Sequence, residues 1–204
     1  MDYKKDYLEE VKKKVTLKRY NHTLGVIKEA ILLSKIYGVD LDKARIAATL
    51  HDYTKYLDEE KEKEIMIKHY GFNVYNALPK QVIHGFTAAV VSKEELGVDD
   101  VDILNAIKYH TIGRKNMSTL EKIIYIADFT EPNRNSEISK EIHDIAIKNL
   151  NLALYKIMKF VINDCINNNK IVPKESYEAL KWAEELNKIN EWRTWKDIKS
   201  FRRR

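Results

Sequence analysis

The chain has 204 residues and a formal net charge of +5, with one cysteine, six glycines and three prolines. This length suits one large domain, or one domain with an appendage. So few glycines and prolines argue against a turn-rich β fold, and a single cysteine excludes an internal disulfide, which favours a reducing compartment. No apolar run approaches the ~20 residues that span a bilayer, and the N-terminus lacks the apolar stretch of a secretory signal. We therefore expect a cytoplasmic protein with no membrane partner.

Long segments with the apolar periodicity of a helix predict an all-α fold. In chain order, the predicted helices are 2–14, 17–37, 41–51, 59–70, 79–96, 99–110, 119–129, 137–168 and 174–190. Capping residues mark several of their ends, with N-cap side chains at Asp40, Asp58 and Ser118. No low-complexity linker interrupts the chain, so we predict a single domain over 1–204, with its core at about 17–170 and a C-terminal helical extension at about 171–204.

Six residues of metal-ligating types lie on or beside the apolar faces of five predicted helices: His22, His51, Asp52, His84, His110 and Asp128. One buried histidine taken alone is more often a core residue with an ordinary hydrogen-bond partner. The whole set is different, because burying four imidazoles and two carboxylates without a metal costs several kcal/mol per unpaired charge. Small neighbours such as Ala47 and Ala48 also leave room between the helices. The set therefore predicts a two-metal hydrolytic site.

Five short blocks carry these residues in a recognisable order. They are 21–26 (NHTLGV), 51–55 (HDYTK), 84–88 (HGFTA), 109–113 (YHTIG) and 127–134 (ADFTEPNR). Together they resemble the HD-domain phosphohydrolase superfamily. More narrowly, they look like the YqeK-like symmetrical bis(nucleosyl)-tetraphosphatases, which cleave diadenosine tetraphosphate into two ADP. The resemblance spans about residues 17–190.

The resemblance implies an HD-domain helical bundle with a two-metal site between its helices. One metal ion would be held by His22, His51, Asp52 and Asp128, and the other by His84 and His110 with Asp52 bridging. Imidazole-rich ligation favours iron, manganese, cobalt, nickel or zinc over magnesium. The family implies a di-iron site, with ions that are divalent or of mixed valence, whereas ligand chemistry alone does not choose iron.

Further residues are predicted to handle the substrate. Lys55 follows Asp52 by three residues and is expected to act in catalysis with it and to bind phosphate, although it could also be a surface lysine beside Asp58. Arg134 follows Asp128 by six residues, and its fork of donors suits a bridging phosphate. Thr111 and Arg114 are weaker candidates for substrate contacts, since each could equally be a solvated loop residue.

The expected partner is a dinucleoside polyphosphate substrate, and we expect no nucleic acid to be obligatory. The sequence does not decide whether the protein forms a homodimer. Three alternatives remain at this stage. The chain could be an HD phosphohydrolase of another nucleotide, a di-iron HD oxygenase, or a basic helical protein that binds RNA. Phosphate-binding cations count against the oxygenase, and a complete ligand set counts against a protein that only binds RNA.

Overall fold

The structure is a computed structural model that describes the backbone of residues 7–201 and the side chains of residues 7–188. The described part of the chain has helices and no strands, which confirms the all-α prediction. In order, the helices are α1 (Leu8–Lys14), α2 (Leu17–Tyr37), α3 (Leu41–Leu50), α4 (Glu59–Tyr70), α5 (Phe72–Ala77), α6 (Lys80–Glu94), α7 (Val101–Tyr109), α8 (Thr119–Thr130), α9 (Glu137–Lys148), α10 (Leu150–Asn167) and α11 (Lys174–Phe201).

The predicted helix ends lie close to the observed ones because the capping chemistry is local. The Asp58 carboxylate accepts hydrogen bonds from the backbone N–H groups of Glu60 and Lys61 and begins α4. The Ser118 hydroxyl accepts from the backbone of Glu121 and begins α8. Gly38 ends α2 with a φ of 69°, a left-handed conformation that glycine adopts without a steric penalty.

The prediction of one helix over 137–168 is wrong. Asn149 adopts an extended conformation with a φ of −152° and separates α9 from α10. Its side chain accepts a hydrogen bond from the backbone N–H of Leu152 at 3.0 Å, so it is the N-cap of α10. The apolar spacing continues through the break, which is why periodicity alone did not reveal it.

Two other helices differ from the prediction. Helix α5 has no buried residue, so it lacks the apolar stripe that would have identified it. Helix α11 continues to Phe201, beyond the predicted end at residue 190. Residues 2–6 of the first predicted helix lie outside the described residues.

Five helices, α2, α3, α6, α7 and α8, surround the centre of the fold. Helix α2 packs on α3 and α8, while α7 packs on α3, α6 and α8. Three alanines on α3, Ala44, Ala47 and Ala48, are fully buried, and their small side chains allow the neighbouring helices to approach closely. The C-terminal ends of α3 and α7 are thereby brought beside the bodies of α2, α6 and α8.

The remaining helices support this arrangement from outside. Helix α10 packs on α8 and also contacts α9 and α11. The division into a core and a C-terminal extension stays a prediction. Among the described residues, no helix combines the length and the apolar character that crossing a bilayer requires.

Candidate metal centre

The six predicted ligands lie in the space enclosed by the five central helices. His22 is on α2, His84 on α6 and Asp128 on α8, whereas His51 with Asp52 and His110 directly follow the last residues of α3 and α7. All four imidazoles and the Asp52 carboxylate are buried, and Asp128 is partly exposed. The hydroxyl of Thr54 donates to the backbone carbonyl of His84 at 2.9 Å and ties the segment after Asp52 to α6.

The Asp52 carboxylate lies between two pairs of imidazoles. Its Oδ1 is 3.0 Å from His84 Nε2 and 3.8 Å from His110 Nε2. Its Oδ2 is 3.3 Å from His51 Nε2 and 3.8 Å from His22 Nε2. Two groups of potential ligands therefore share this one carboxylate: His22, His51 and Asp52, and Asp52, His84 and His110.

Asp128 extends the first of these groups. Its Oδ1 lies 3.1 Å from His22 Nε2, on the side of the histidine that faces the centre. The same oxygen accepts a hydrogen bond from Arg134 Nη2 at 3.0 Å.

The backbone determines which nitrogen of two histidines faces the centre. Nδ1 of His51 lies 2.7 Å from the carbonyl oxygen of Ala48, and Nδ1 of His110 lies 2.7 Å from that of Ile107. A carbonyl oxygen can only accept, so in both rings Nδ1 carries the proton and, in the neutral ring, Nε2 presents a lone pair. The Glu131 carboxylate acts in the same way on His22, with Oε1 3.2 Å from Nδ1.

The Nε2 atoms of these rings face one another in pairs across short distances. Nε2 of His51 is 3.3 Å from Nε2 of His22, and Nε2 of His84 is 3.1 Å from Nε2 of His110. Asp52 Oδ1 is buried, and His84 Nε2 lies 3.0 Å from it. The Nε2 lone pairs of His51 and His110, beside a buried carboxylate, form a donor set that a divalent cation satisfies, so these residues fit a metal centre.

The electrostatic environment favours the ligand forms of His84, His110 and Asp52, whereas the pKa of His51 is raised, because the charge and hydrogen bond of Asp52, with the charge of Asp128, outweigh the lowering effect of burial. Burial, followed by the charges of His84 and His51, lowers the pKa of His110 to about 3, and burial also lowers the pKa of His84. Burial alone would raise the pKa of Asp52, but its contacts with His51 and His84 hold that pKa well below the ordinary value. At neutral pH, two neutral imidazoles and an anionic carboxylate therefore face one another, as metal binding requires.

Three cationic side chains surround the centre. Arg19 Nη1 donates to Asp52 Oδ2 at 2.7 Å, and Lys55 Nζ lies 3.8 Å from Asp52 Oδ1. Arg134 contacts Asp128 from the other side, as described above. An anion that reached the centre would meet positive charge around it.

Two cavities open beside the centre and share Arg134. The cationic cavity has a volume of about 760 Å³, and its lining includes Lys18, Arg19, His22, Tyr56, Glu131 and Arg134. The aromatic cavity has a volume of about 300 Å³, and its lining includes His110, Asp128, Phe129, Arg134, Phe160 and Asp164. Each cavity therefore borders at least one of the predicted ligands, and both reach Arg134.

Glycines inside two helices allow close approaches at the centre. A Cβ atom on Gly25 of α2 would come within 2.1 Å of Glu131 Oε2. A Cβ atom on Gly85 of α6 would come within 2.8 Å of the backbone oxygen of Lys108 and 3.3 Å of His110 Nδ1. Glycine inside a helix costs about 1 kcal/mol relative to alanine, and at both positions a neighbouring group takes the place that a side chain would occupy.

The structure brings some of the predicted substrate contacts close to the centre and places others further away. Lys55 and Arg134 both lie beside the ligand set. Thr111 lines the aromatic cavity, and its buried hydroxyl has no hydrogen-bond partner among the described residues. Arg114 instead makes two hydrogen bonds, of 2.8 and 2.5 Å, to the buried carboxylate of Glu121.

Sequence reasoning missed two residues that contact the ligands. Arg19 precedes His22 by three residues on α2, so its position on the same helix face was the available signal. Glu131 has no predicted role in the sequence, yet its carboxylate reaches His22 and also accepts from the backbone N–H of Asn133 at 2.7 Å. No local pattern reveals the contact between Glu131 and His22, because it depends on how α2 and α8 pack.

Comparison with known proteins gives consistent results. The HD domain family model matches residues 19–133. The symmetrical bis(5′-nucleosyl)-tetraphosphatase of Bacillus subtilis (strain 168) is 37% identical over 172 residues, which cover 84% of this chain and 92% of that protein. The protein of the same name from Staphylococcus aureus (strain NCTC 8325 / PS 47) is 35% identical over 173 residues, covering 84% of this chain and 89% of that protein.

A crystal structure from Clostridium acetobutylicum, described as a predicted HD superfamily hydrolase involved in NAD metabolism, has the same fold. It superposes with a TM-score of 0.78 at 37% identity, over 87% of this chain and 95% of that one. An all-helical fold with an HD domain and a His/Asp centre defines a metal-dependent phosphohydrolase. The chain belongs to the HD-domain superfamily, in the group of the curated symmetrical bis(5′-nucleosyl)-tetraphosphatases.

Glu131 gives a test of how the centre is supported. We expect Glu131→Leu to weaken metal binding about ten- to a hundredfold, because His22 would lose the acceptor that orients its ring. Glu131→Gln keeps an acceptor oxygen and should lose much less. Chelator competition on the purified protein measures this affinity, with exposed Glu94→Leu as the matched control. Equal affinity in Glu131→Leu and the wild type would show that His22 does not depend on this contact.

Proposed function

We propose that this chain hydrolyses diadenosine tetraphosphate symmetrically into two ADP, using two metal ions held by the six His and Asp residues. The observation that carries the proposal is the Asp52 carboxylate, whose two oxygens each face a different pair of imidazoles. A carboxylate can bridge two cations, whereas one imidazole nitrogen binds only one. The substrate and the products are those of the curated relatives.

The proposed ligand sets follow the two groups around Asp52. His22, His51, Asp52 and Asp128 would hold one ion, and His84 and His110 would hold the other, with Asp52 shared. When bound, two such ions supply an activated water and neutralise charge on the phosphoryl oxygens. Iron is our first choice of metal, and the imidazole-rich donor set is also compatible with manganese, cobalt, nickel or zinc.

The chain's own cations have a separate role in this proposal. Lys55 and Arg134 contact different ligand carboxylates, Asp52 and Asp128, each within 4 Å. From there they can donate hydrogen bonds to phosphate oxygens whose negative charge rises as ADP departs. Arg19, which contacts the other oxygen of Asp52, adds positive charge beside the cationic cavity. These cations favour phosphoester hydrolysis over an oxygenase reaction.

Two further residues are proposed as substrate contacts. Thr111 lines the aromatic cavity and is retained as a substrate contact. Arg114 is also retained, although its guanidinium is already paired with Glu121. We keep the expectations that no nucleic acid is obligatory and that the protein acts in the cytoplasm, and a homodimer stays open.

Product analysis tests the proposed function directly. We expect diadenosine tetraphosphate, incubated with the iron- or manganese-loaded protein, to give ADP alone on anion-exchange chromatography. AMP and ATP in equal amounts would mean asymmetric cleavage and would contradict the assignment. A panel of other nucleotides, assayed in parallel for phosphate release, distinguishes this activity from that of an HD phosphohydrolase with a different substrate.

A further inference from the structure

We propose that the aromatic cavity is a nucleobase subsite, which takes one amino-bearing purine of the substrate while the phosphates of that half reach the His/Asp centre. This inference rests on the proposed function, because it assigns a place to one half of a dinucleotide. It adds what neither the family relationship nor the ligand set supplies, namely the residues that recognise a base.

The aromatic cavity is continuous with the centre. His110 and Asp128, two of the proposed ligands, form part of its lining together with Arg134. Its volume of about 300 Å³ is at the lower end of the range of small-molecule sites. A flat ring bound there would therefore lie next to the centre, and its attached phosphates would have to extend towards the metal ligands.

The surface of this cavity suits an aromatic ring. Phe160 keeps 42% of its surface exposed, although its neighbours on α10, Ile157 and Met158, are almost completely buried. Its ring meets that of Phe129 edge to face, with centroids 5.8 Å apart, so its orientation is fixed by packing. A large, exposed aromatic side chain that packing holds in place at a cavity offers a stacking surface. The flat face of any nucleobase can stack on it.

Charge gives the bound nucleotide one orientation. Arg134 lies on the side of Asp128, with its Nη2 3.0 Å from that carboxylate. Asp164 lies on α10, one turn after Phe160, and its carboxylate would repel phosphate oxygens. The phosphates are therefore expected towards Arg134 and the base towards Asp164.

Asp164 also indicates the kind of base. Its Oδ1 accepts a hydrogen bond from Asn168 Nδ2 at 3.0 Å, and its Oδ2 lies 3.7 Å from Lys170 Nζ. A carboxylate oxygen has more than one lone pair and can only accept, so it suits an exocyclic amino group rather than a carbonyl. Adenine presents such a group, which agrees with the proposed substrate.

The cationic cavity offers space for the other half of the molecule. It shares Arg134 with the aromatic cavity, is larger at about 760 Å³, and has Lys18 and Arg19 in its lining. A dinucleoside polyphosphate could then bind with its phosphate chain across the centre and one nucleoside on each side. Cleavage in the middle of the phosphate chain follows if the base subsite sets the distance between the bound nucleoside and the His/Asp centre.

The test compares two ligands that differ by the nucleoside. Binding of ADP and of inorganic pyrophosphate to the metal-loaded protein is measured by calorimetry for the wild type, Phe160→Ala and Phe160→Tyr. We expect Phe160→Ala to weaken ADP binding about tenfold, as the loss of one base–aromatic stack does, and to leave pyrophosphate binding unchanged. Phe160→Tyr keeps the aromatic face and should bind ADP nearly as the wild type does. Exposed Phe72 on α5, changed to alanine, is the matched control.

The outcomes separate this inference from the proposed function. Unchanged ADP binding in Phe160→Ala, or an equal loss for ADP and pyrophosphate, would overturn the base subsite. A selective loss of ADP binding supports it, even if the wild type fails to cleave diadenosine tetraphosphate, in which case only the proposed function falls. Because Phe160 is exposed, its replacement should not unfold the protein, and thermal unfolding of each variant checks this.

Discussion

Asp52→Ala is expected to remove both metal ions and to lower turnover by on the order of a thousandfold or more. The reason is geometric, because each oxygen of this carboxylate faces a different pair of imidazoles. Metal ions contribute several kcal/mol to phosphoryl transfer, and each 1.36 kcal/mol corresponds to a factor of ten in rate. Elemental analysis after identical purification, together with product formation, measures both effects.

Controls distinguish this role from a general effect on folding. Asp52→Asn keeps the shape of the side chain without its charge and should also lose metal. Asp144 on α9 is exposed, and Asp144→Ala should keep full metal content and activity. His110→Ala should empty mainly one of the two positions, since His110 faces only Oδ1. Two metal equivalents retained in Asp52→Ala would exclude Asp52 as the bridge.

Lys55→Met and Arg134→Met are each expected to slow turnover by roughly ten- to a hundredfold while leaving metal content unchanged. Both residues are proposed to donate to phosphate oxygens that gain charge in the transition state, and charge-assisted hydrogen bonds are worth ~1.5–3 kcal/mol. A contact that strengthens in the transition state lowers kcat as well as kcat/KM when it is removed. Steady-state kinetics, metal analysis and thermal unfolding are measured on each variant.

Matched variants at an exposed lysine and a partly exposed arginine complete this test. Lys61→Met on α4 and Arg45→Met on α3 remove the same charges away from the centre and should have wild-type kinetics. If Lys55→Met and Arg134→Met also kept wild-type kcat/KM, both residues would be surface cations without a role in the reaction. Loss of metal in either variant would instead place that residue among the supports of the ligands.

The sequence predicted the features that depend on local chemistry. The helix starts at Asp40, Asp58 and Ser118 were predicted because each cap acts on residues within one turn. The six predicted ligands come together in the structure, since each lies on an apolar face that the fold must bury. The family resemblance supplied their order and pairing.

The features that were missed depend on contacts between distant segments. Glu131 reaches His22 across 109 residues of sequence, and nothing next to it in the chain indicates this contact. Phe160 looks like another apolar residue of α10 until the packing shows that it is exposed beside the centre. The break at Asn149 was hidden because the apolar spacing of α9 continues into α10. Periodicity reports which face is buried and does not report which segments meet there.

Gly25 and Gly85 also affect how this enzyme could be engineered. Replacing helical glycine by alanine is a common way to stabilise a protein, and both glycines look like suitable candidates in the sequence. Here an added methyl group would meet Glu131 beside His22 in one case and the backbone before His110 in the other. At Gly85 the contact is with backbone, so α6 would have to move and carry His84 with it. At Gly25 the contact is with the Glu131 side chain, which would have to leave its position beside His22. Thermostabilising designs should therefore keep both glycines.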